Sequence, residues 1–280
     1  MESRTIILGD HTGSIKVLDP ELHNLGPTGQ GLSIINIIPS EEDFYAFRSN
    51  GSVDRFSLEG TFTSVHDSCT KKIIDGGIYN NSIILVYPNG EFDFNNHIYK
   101  TSIQECSGIS NLAENLALCG NNNAEVWDLN KQSLKWKAWT LKPKDPVFDS
   151  KCWIDDKKLY VATTKNEVRI HDFRSKKPQE VVMLNKEGHN CNLPISCLYV
   201  FEDFVYVGDV AGHMYKMNKE LRILGKTKIR SVGALQSIFC KESNVYSCGL
   251  DRRLMIHDCG SLKLVEKKYL WQKLTKVIVL

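Results

Sequence analysis

Short apolar stretches alternate with polar residues, turn, and alternate again, and the whole pattern recurs seven times along the chain. The segments are Ile6–Asp19, Phe44–Ser57, Ile83–Asn95, Leu116–Asp128, Leu159–Asp172, Phe204–Asn218 and Val245–Asp258. Each reads as two period-two strands around a turn, and most close on Asp or Asn. The matching turn residues are Gly13, Gly51, Gly90, Asn122, Asn166, Gly212 and Arg252, separated by 38, 39, 32, 44, 46 and 40 residues. A period near 40 residues with about four strands per repeat predicts an all-β, seven-bladed β-propeller, one domain over residues 1–280. The prior for such a fold is docking rather than catalysis.

Further strand-like stretches precede the repeats: Leu32–Ile38, Gly108–Leu112, Val147–Trp153, Ile195–Phe201 and Ala234–Phe239. They are expected as the innermost strands. More polar stretches follow the repeats, such as Thr61–Val65, Ser133–Trp139 and Leu262–Tyr269, and fit edge strands. The chain opens on a second-strand pattern, Thr5–Leu8, and closes on a lone strand, Leu274–Leu280. The C-terminal strand is therefore expected to complete the first blade. Helical periodicity with caps is absent.

Composition changes this picture little. Hydrophobic residues are 42% and charged residues 24%, ordinary for a globular domain. No apolar run reaches the roughly 18 residues needed to cross a bilayer, and the first residues show no secretory pattern. Nine cysteines, most within apolar strands, read as buried reduced thiols of an intracellular protein rather than as a disulfide framework. Charge changes more. Residues 1–70 carry four basic and ten acidic side chains, whereas residues 131–186 hold 14 Lys/Arg against seven Asp/Glu. Such polarity suits partners of opposite charge on different sectors.

Candidate chemistry is sparse. Phosphate loops and nucleophile elbows are missing. His189, Cys191 and Cys197 match no zinc spacing, and Asp145, Asp149, Asp155 and Asp156 lack the register of a calcium loop, so neither metal nor cofactor is expected. Four of five tryptophans, Trp127, Trp136, Trp139 and Trp153, fall in a 27-residue window that overlaps the basic stretch. Trp127 and Trp153 read as core; Trp136 and Trp139, on an edge strand, are the open ones for stacking. An enzyme is not expected.

Trp127–Asp128 is the one literal Trp-Asp pair, so the repeats are degenerate. Two stretches go further. Pro146–Pro178 contains LYVATTKNEVRIHDFRSKKP; Ser231–His257 reads SVGALQSIFCKESNVYSCGLDRRLMIH and is followed by KYLWQKLTKVIVL. These resemble the Nop-seven-associated WD-repeat factors, the nucleolar WD-repeat family of large-subunit assembly. The likeness lies in Val168–Pro178, in Ser247–Arg252 and in Gly233–Ala234, stronger in blades five to seven than in blades one to three. Members of that family usually carry a Lys-rich tail after the propeller, and this sequence stops at Leu280.

The resemblance implies a non-catalytic scaffold of the large (60S) ribosomal subunit, nuclear and nucleolar, supporting pre-rRNA processing. Its expected partners are pre-60S assembly factors and ribosomal proteins, with contact to pre-rRNA and release by an AAA-type ATPase; membrane is excluded, and the chain is expected as a monomer within a large complex. The alternative is a WD-repeat adaptor in a ubiquitin-ligase or chromatin complex. Lys142, Lys144, Arg169, Arg174, Lys176 and Lys177 are expected to meet an acidic partner, with Arg253 reaching out from a hairpin tip. Asp128, Asp172, Arg252, His257 and Asp258 are expected to be structural, Arg252 held by a neighbouring turn carboxylate.

Overall fold

The computed structural model describes residues 5–19, 21–25, 32–40, 43–57, 59, 61–67, 71–121, 123–138, 149–155, 157–175, 180–184 and 193–280. These residues form a seven-bladed β-propeller of four-stranded antiparallel sheets, and every regular element among them is a strand. Blade one is assembled from both ends of the chain in the order Leu274–Val279, Ile6–Asp10, Ile15–Asp19, Glu21–Leu25. Ile6 faces Val279 and Leu8 faces Val277 across the joint. The expectation that the C-terminal strand completes the first blade therefore holds.

The other blades are contiguous. Blade two runs Ile34–Pro39, Asp43–Arg48, Val53–Ser57, Phe62–His66, and blade seven runs Leu235–Lys241, Asn244–Gly249, Arg253–Asp258, Leu264–Tyr269. With blade one they make up most of one compact unit. A second unit, residues 76–210 and 214–226, takes the rest. Within it blade four pairs Cys106–Leu112, Asn115–Gly120, Asn123–Asp128 and Ser133–Lys137, while blade five pairs Asp149–Asp155, Lys158–Thr163, Glu167–Asp172 and Glu180–Met183. Blade three opens on Asp75–Tyr79, a Gly-containing strand (DGGIY) that period-two reasoning passes over.

Alternation explains why these strands are apolar on both faces. In blade one, Ile6, Leu8, Val277 and Val279 pack with Tyr246, Leu254 and Leu270 of blade seven. Their neighbours Ile7 and Ile278 point the other way, onto Ile34, Phe44 and Phe56 of blade two. Successive side chains leave a strand on opposite faces, so a strand between two sheets needs apolar residues in both registers. Each such side chain, fully buried, contributes about 1.5–3 kcal/mol. The fourth strands face solvent along most of their length, and the edge pattern is exposed in Glu21–Leu25, Phe62–His66 and Glu180–Met183.

One backbone requirement repeats in every described turn between second and third strands. Gly13, Gly51, Gly90, Asn166, Gly212 and Arg252 all have φ between 64° and 89°. Glycine and asparagine tolerate that left-handed region; other L-residues are strained in it. Five of the six follow the rule, and Arg252 breaks it. Asn122, the remaining aligned residue, lies outside the described residues.

Candidate functional site

The basic sector does not come together as one surface among the described residues. Lys142, Lys144, Lys176 and Lys177 lie outside them. Arg174 is exposed, but its guanidinium grips Asp172, with Nη2 at 2.6 Å and Nε at 2.9 Å from the carboxylate oxygens. That grip and the Arg174 amide hold the Asp172 carboxyl far below the ordinary carboxylate range. Arg169 corrects the expectation of an accessible cation. It sits mid-strand at 7% exposure, opposite Val161, and its charge is answered by Glu167 at 2.8 Å. A cation so enclosed does not present its charge to a partner.

The closing carboxylates do cap turns. Asp128 accepts the Lys131 amide at 2.9 Å, Asp172 the Arg174 amide at 2.9 Å, and Asp258 the Ser261 amide and hydroxyl at 2.7 and 2.6 Å. Each satisfies donors that the end of the third strand leaves unpaired, which is why the repeats close on Asp. The Lys131 amide holds the Asp128 carboxyl low. His257 is buried and its ring nitrogens have no partner at hydrogen-bond geometry. Burial lowers its pKa, and the Ile229 backbone opposes that only in part.

The tryptophans are packing residues in the main. Trp136 is buried, contrary to its reading as an open ring. Its Nε1 donates to the Ser175 carbonyl at 3.0 Å, and its ring meets His171 and Phe173 at 5.4 and 5.6 Å. Burial, with the nearby Arg169 charge, pushes the His171 pKa down to about 4. Trp127 lies edge-on to Phe92, and Trp153 to Tyr199. Trp139 is outside the described residues.

Sequence reasoning missed a buried charged position. Lys16, Asp54, Glu125 and Arg169 occupy the same place in their third strands, opposite Leu8, Ala46, Leu118 and Val161. All four are buried. Lys16 pairs with Asp10 at 2.6 Å, and Asp54 with Arg48, the same pair with its signs reversed. Glu125 accepts from Ser102 and, at 3.1 Å, from Trp127 Nε1. The signal was present as a charge inside an otherwise apolar alternation. Among the described residues no group of three His, Cys, Asp or Glu is arranged to hold a metal. Cys197 is buried, and His189 and Cys191 lie outside the described residues.

At the blade-seven turn the exposures of the two arginines are the reverse of those expected. Arg252 is the exposed tip and donates to the Tyr269 hydroxyl at 3.4 Å rather than to a carboxylate. Arg253 begins the third strand and is half-buried. Its amide, with that of Val232, bonds the Asp251 carboxylate. Beside Arg252 stand Tyr269 and Trp271, 48% and 75% exposed, which the sequence reading did not single out.

The fold and these turns define the chain as a β-propeller. No protein-family profile matches it and no curated protein matches it. Among solved structures 1613 chains match, a breadth that identifies the fold and leaves function open. One is the crystal structure of the computationally designed Ika8 protein. It aligns over 87% of this chain and 89% of its own at a TM-score of 0.63 and 11% identity, a likeness of fold alone.

Proposed function

We propose that this chain is a non-catalytic scaffold in assembly of the large ribosomal subunit, akin to the Nop-seven-associated WD-repeat factors. The observation that carries the reading is the blade-seven motif. Gly233–Ala234 and Ser247–Arg252 are separate in sequence, yet they build one turn. The Leu250 amide donates to the Ala234 carbonyl at 3.1 Å, and the Asp251 carboxylate accepts the Val232 amide at 3.2 Å. A Cβ on Gly249 would lie 2.4 Å from that same Ala234 oxygen, so glycine is required there. Residues that match a family motif and also interlock are supported as a unit rather than as scattered coincidences.

On this reading the protein acts in the nucleolus by binding pre-60S assembly factors and ribosomal proteins, touches pre-rRNA through its cations, and is released by an AAA-type ATPase. The test is affinity purification of the tagged full chain at low salt, with identification of the RNA and proteins that accompany it. Large-subunit precursor RNA and assembly factors are expected. Recovery of ubiquitin-ligase or chromatin subunits without precursor RNA would replace this reading by the adaptor alternative.

A further inference from the structure

Two side chains at one end of blade seven have backbone conformations that disfavour them, and both face solvent. Arg252 has φ 65° where the other blades place Gly or Asn. Trp271 has φ 64°, and the Gln272 amide bonds back to the Leu270 carbonyl at 2.7 Å around it. An i→i+2 bond about a positive-φ residue is the rare, strained form of γ-turn. Left-handed backbones also occur at buried Leu221 and Leu262 and at exposed Ala113, Gln132, Glu202 and Glu242 in hairpin turns, so the conformation alone marks no site. Arg252 and Trp271 differ in being two long or bulky exposed side chains that lie together. Trp271 is 75% exposed and gains little from packing. Strained bulky side chains that cluster at a surface are found at clamps and binding surfaces.

These residues are neighbours. The Leu270 amide donates to the Arg252 carbonyl at 2.8 Å, the Arg252 guanidinium reaches Tyr269, and the Tyr269 and Trp271 rings meet at 5.4 Å. The Val232–Asp251 bond brings in Val232, 79% exposed, and Leu250 is exposed in the same turn. His11 fixes the far side, its amide donating to the Lys273 carbonyl at 3.1 Å. Across residues 228–233, 250–253 and 270–273 there are five cations and one carboxylate, Asp251, which is taken up by two backbone amides.

We propose that this end of blade seven is a docking site for an acidic peptide segment carrying an aromatic or aliphatic anchor. Exposed Trp, Tyr and Arg are the residues that dominate protein interfaces, and the excess of cations selects acidic neighbours of the anchor. The geometry favours peptide over single-stranded nucleic acid. The two rings stand at 68°, a corner that receives a side chain, not parallel platforms for successive bases. Aliphatic Val232 and Leu250 extend the apolar floor. The inference stands apart from the proposed ribosomal role and does not depend on it.

The test titrates the full chain into a synthetic fluorescein-labelled peptide rich in Asp and Glu with one Phe and one Leu, read by fluorescence polarisation. Comparison probes are the same peptide with Phe and Leu replaced by Ser, and labelled oligouridine RNA. Saturable binding of the first probe is expected, weakened at least ~10-fold by Trp271→Gly and by Arg252→Gly and several-fold by added salt. Both glycine variants relieve strain, so their melting temperatures are expected at or above that of the parent. Weakened binding with undiminished stability is a combination that a merely structural role does not give. The proposal is overturned by absence of saturable peptide binding, by unchanged affinity in both variants, by tighter binding of oligouridine, or by a fall in melting temperature that accounts for lost binding.

Discussion

Blades one and seven build the same turn between second and third strands and direct its polar groups oppositely. In blade one Asp10 is fully buried. Its carboxylate accepts from the Thr12 amide at 2.9 Å, the Thr12 hydroxyl at 2.6 Å, the Ser14 amide at 3.0 Å and Lys16 at 2.6 Å, and Gly13 takes the left-handed position. In blade seven Gly249 and Met255 stand where Asp10 and Lys16 do, so the ion pair is gone. The left-handed position falls to Arg252, whose side chain reaches outward. A shared backbone thus tolerates two uses. One turn satisfies the interior, and the other presents a cation beside two aromatic rings of the following strand and its end, at some cost in strain.

The largest test breaks blade one alone. Removing residues 274–280 deletes Leu274, Val277, Ile278 and Val279, all buried. At roughly 2 kcal/mol each they approach the ~5–15 kcal/mol stability of a typical protein, and an edge is exposed besides. The truncated chain is expected to aggregate without a cooperative melt; a soluble product with sharp unfolding would refute this dependence.

Next in size is Asp10→Ala, which leaves the Lys16 ammonium buried and unpaired. A loss of about 3–5 kcal/mol is expected in urea unfolding. The double variant Asp10→Arg/Lys16→Asp reproduces the pair of blade two and should recover about half of that loss. Recovery stays partial because the Thr12 and Ser14 amides still lack their acceptor, a task Asn50 performs in blade two for the Ser52 amide. Recovery no better than either single change would show that the two pairs are not interchangeable. Burial works against the Asp10 charge, but Lys16, Thr12 and Ser14 outweigh it and lower its pKa. The stabilisation is therefore present above the unfolded value near ~3.9 and is lost as pH falls through the lower folded one.

Blade seven carries a pH response of the other kind. The folded-state pKa of His257 is depressed by burial, so below about pH 6.5 the unfolded chain binds the extra proton. Stability should fall as pH drops from 7.5 toward ~5; His171, pushed down to about 4, adds to that slope, and His257→Phe should make it shallower. An identical slope in the variant would place the titration elsewhere.

The smallest effect is Arg252→Gly. Relief of left-handed strain, less the added freedom of the unfolded chain, gives a gain of up to about 1 kcal/mol, or a melting temperature higher by ~2–3 °C. A clear loss instead would mean that the Tyr269 contact outweighs the strain.

Much of this frame was legible from residues. Period and turn chemistry found the blades because both follow from backbone geometry: Gly13 and Gly212 mark φ values, and Asp128 and Asp258 mark unpaired donors. The strand Ile195–Phe201 was bounded as observed. Asp75–Tyr79 was missed because Gly76 and Gly77 leave no alternation to read. The site was less legible, since burial across blades is invisible along one strand. Arg169 and Trp136 look like edge or loop residues until Glu167 and Ser175 are seen beside them. Arg252 and Arg253 are adjacent in sequence, and only the positive φ of the first decides which one faces out.

The joint in blade one also sets an order of events during synthesis. The Leu280 amide bonds the Thr5 carbonyl at 3.0 Å, so Ile6–Asp10 waits for a partner strand, Leu274–Val279, that lies far along the chain. While the chain emerges, Ile6–Asp10 has only its third-strand partner and keeps one edge open. Blade seven, by contrast, can pair as soon as its own residues are out. Until residue 279 is free, the nascent first blade is a three-stranded sheet with an unpaired edge, the kind of intermediate that chaperones exist to shield.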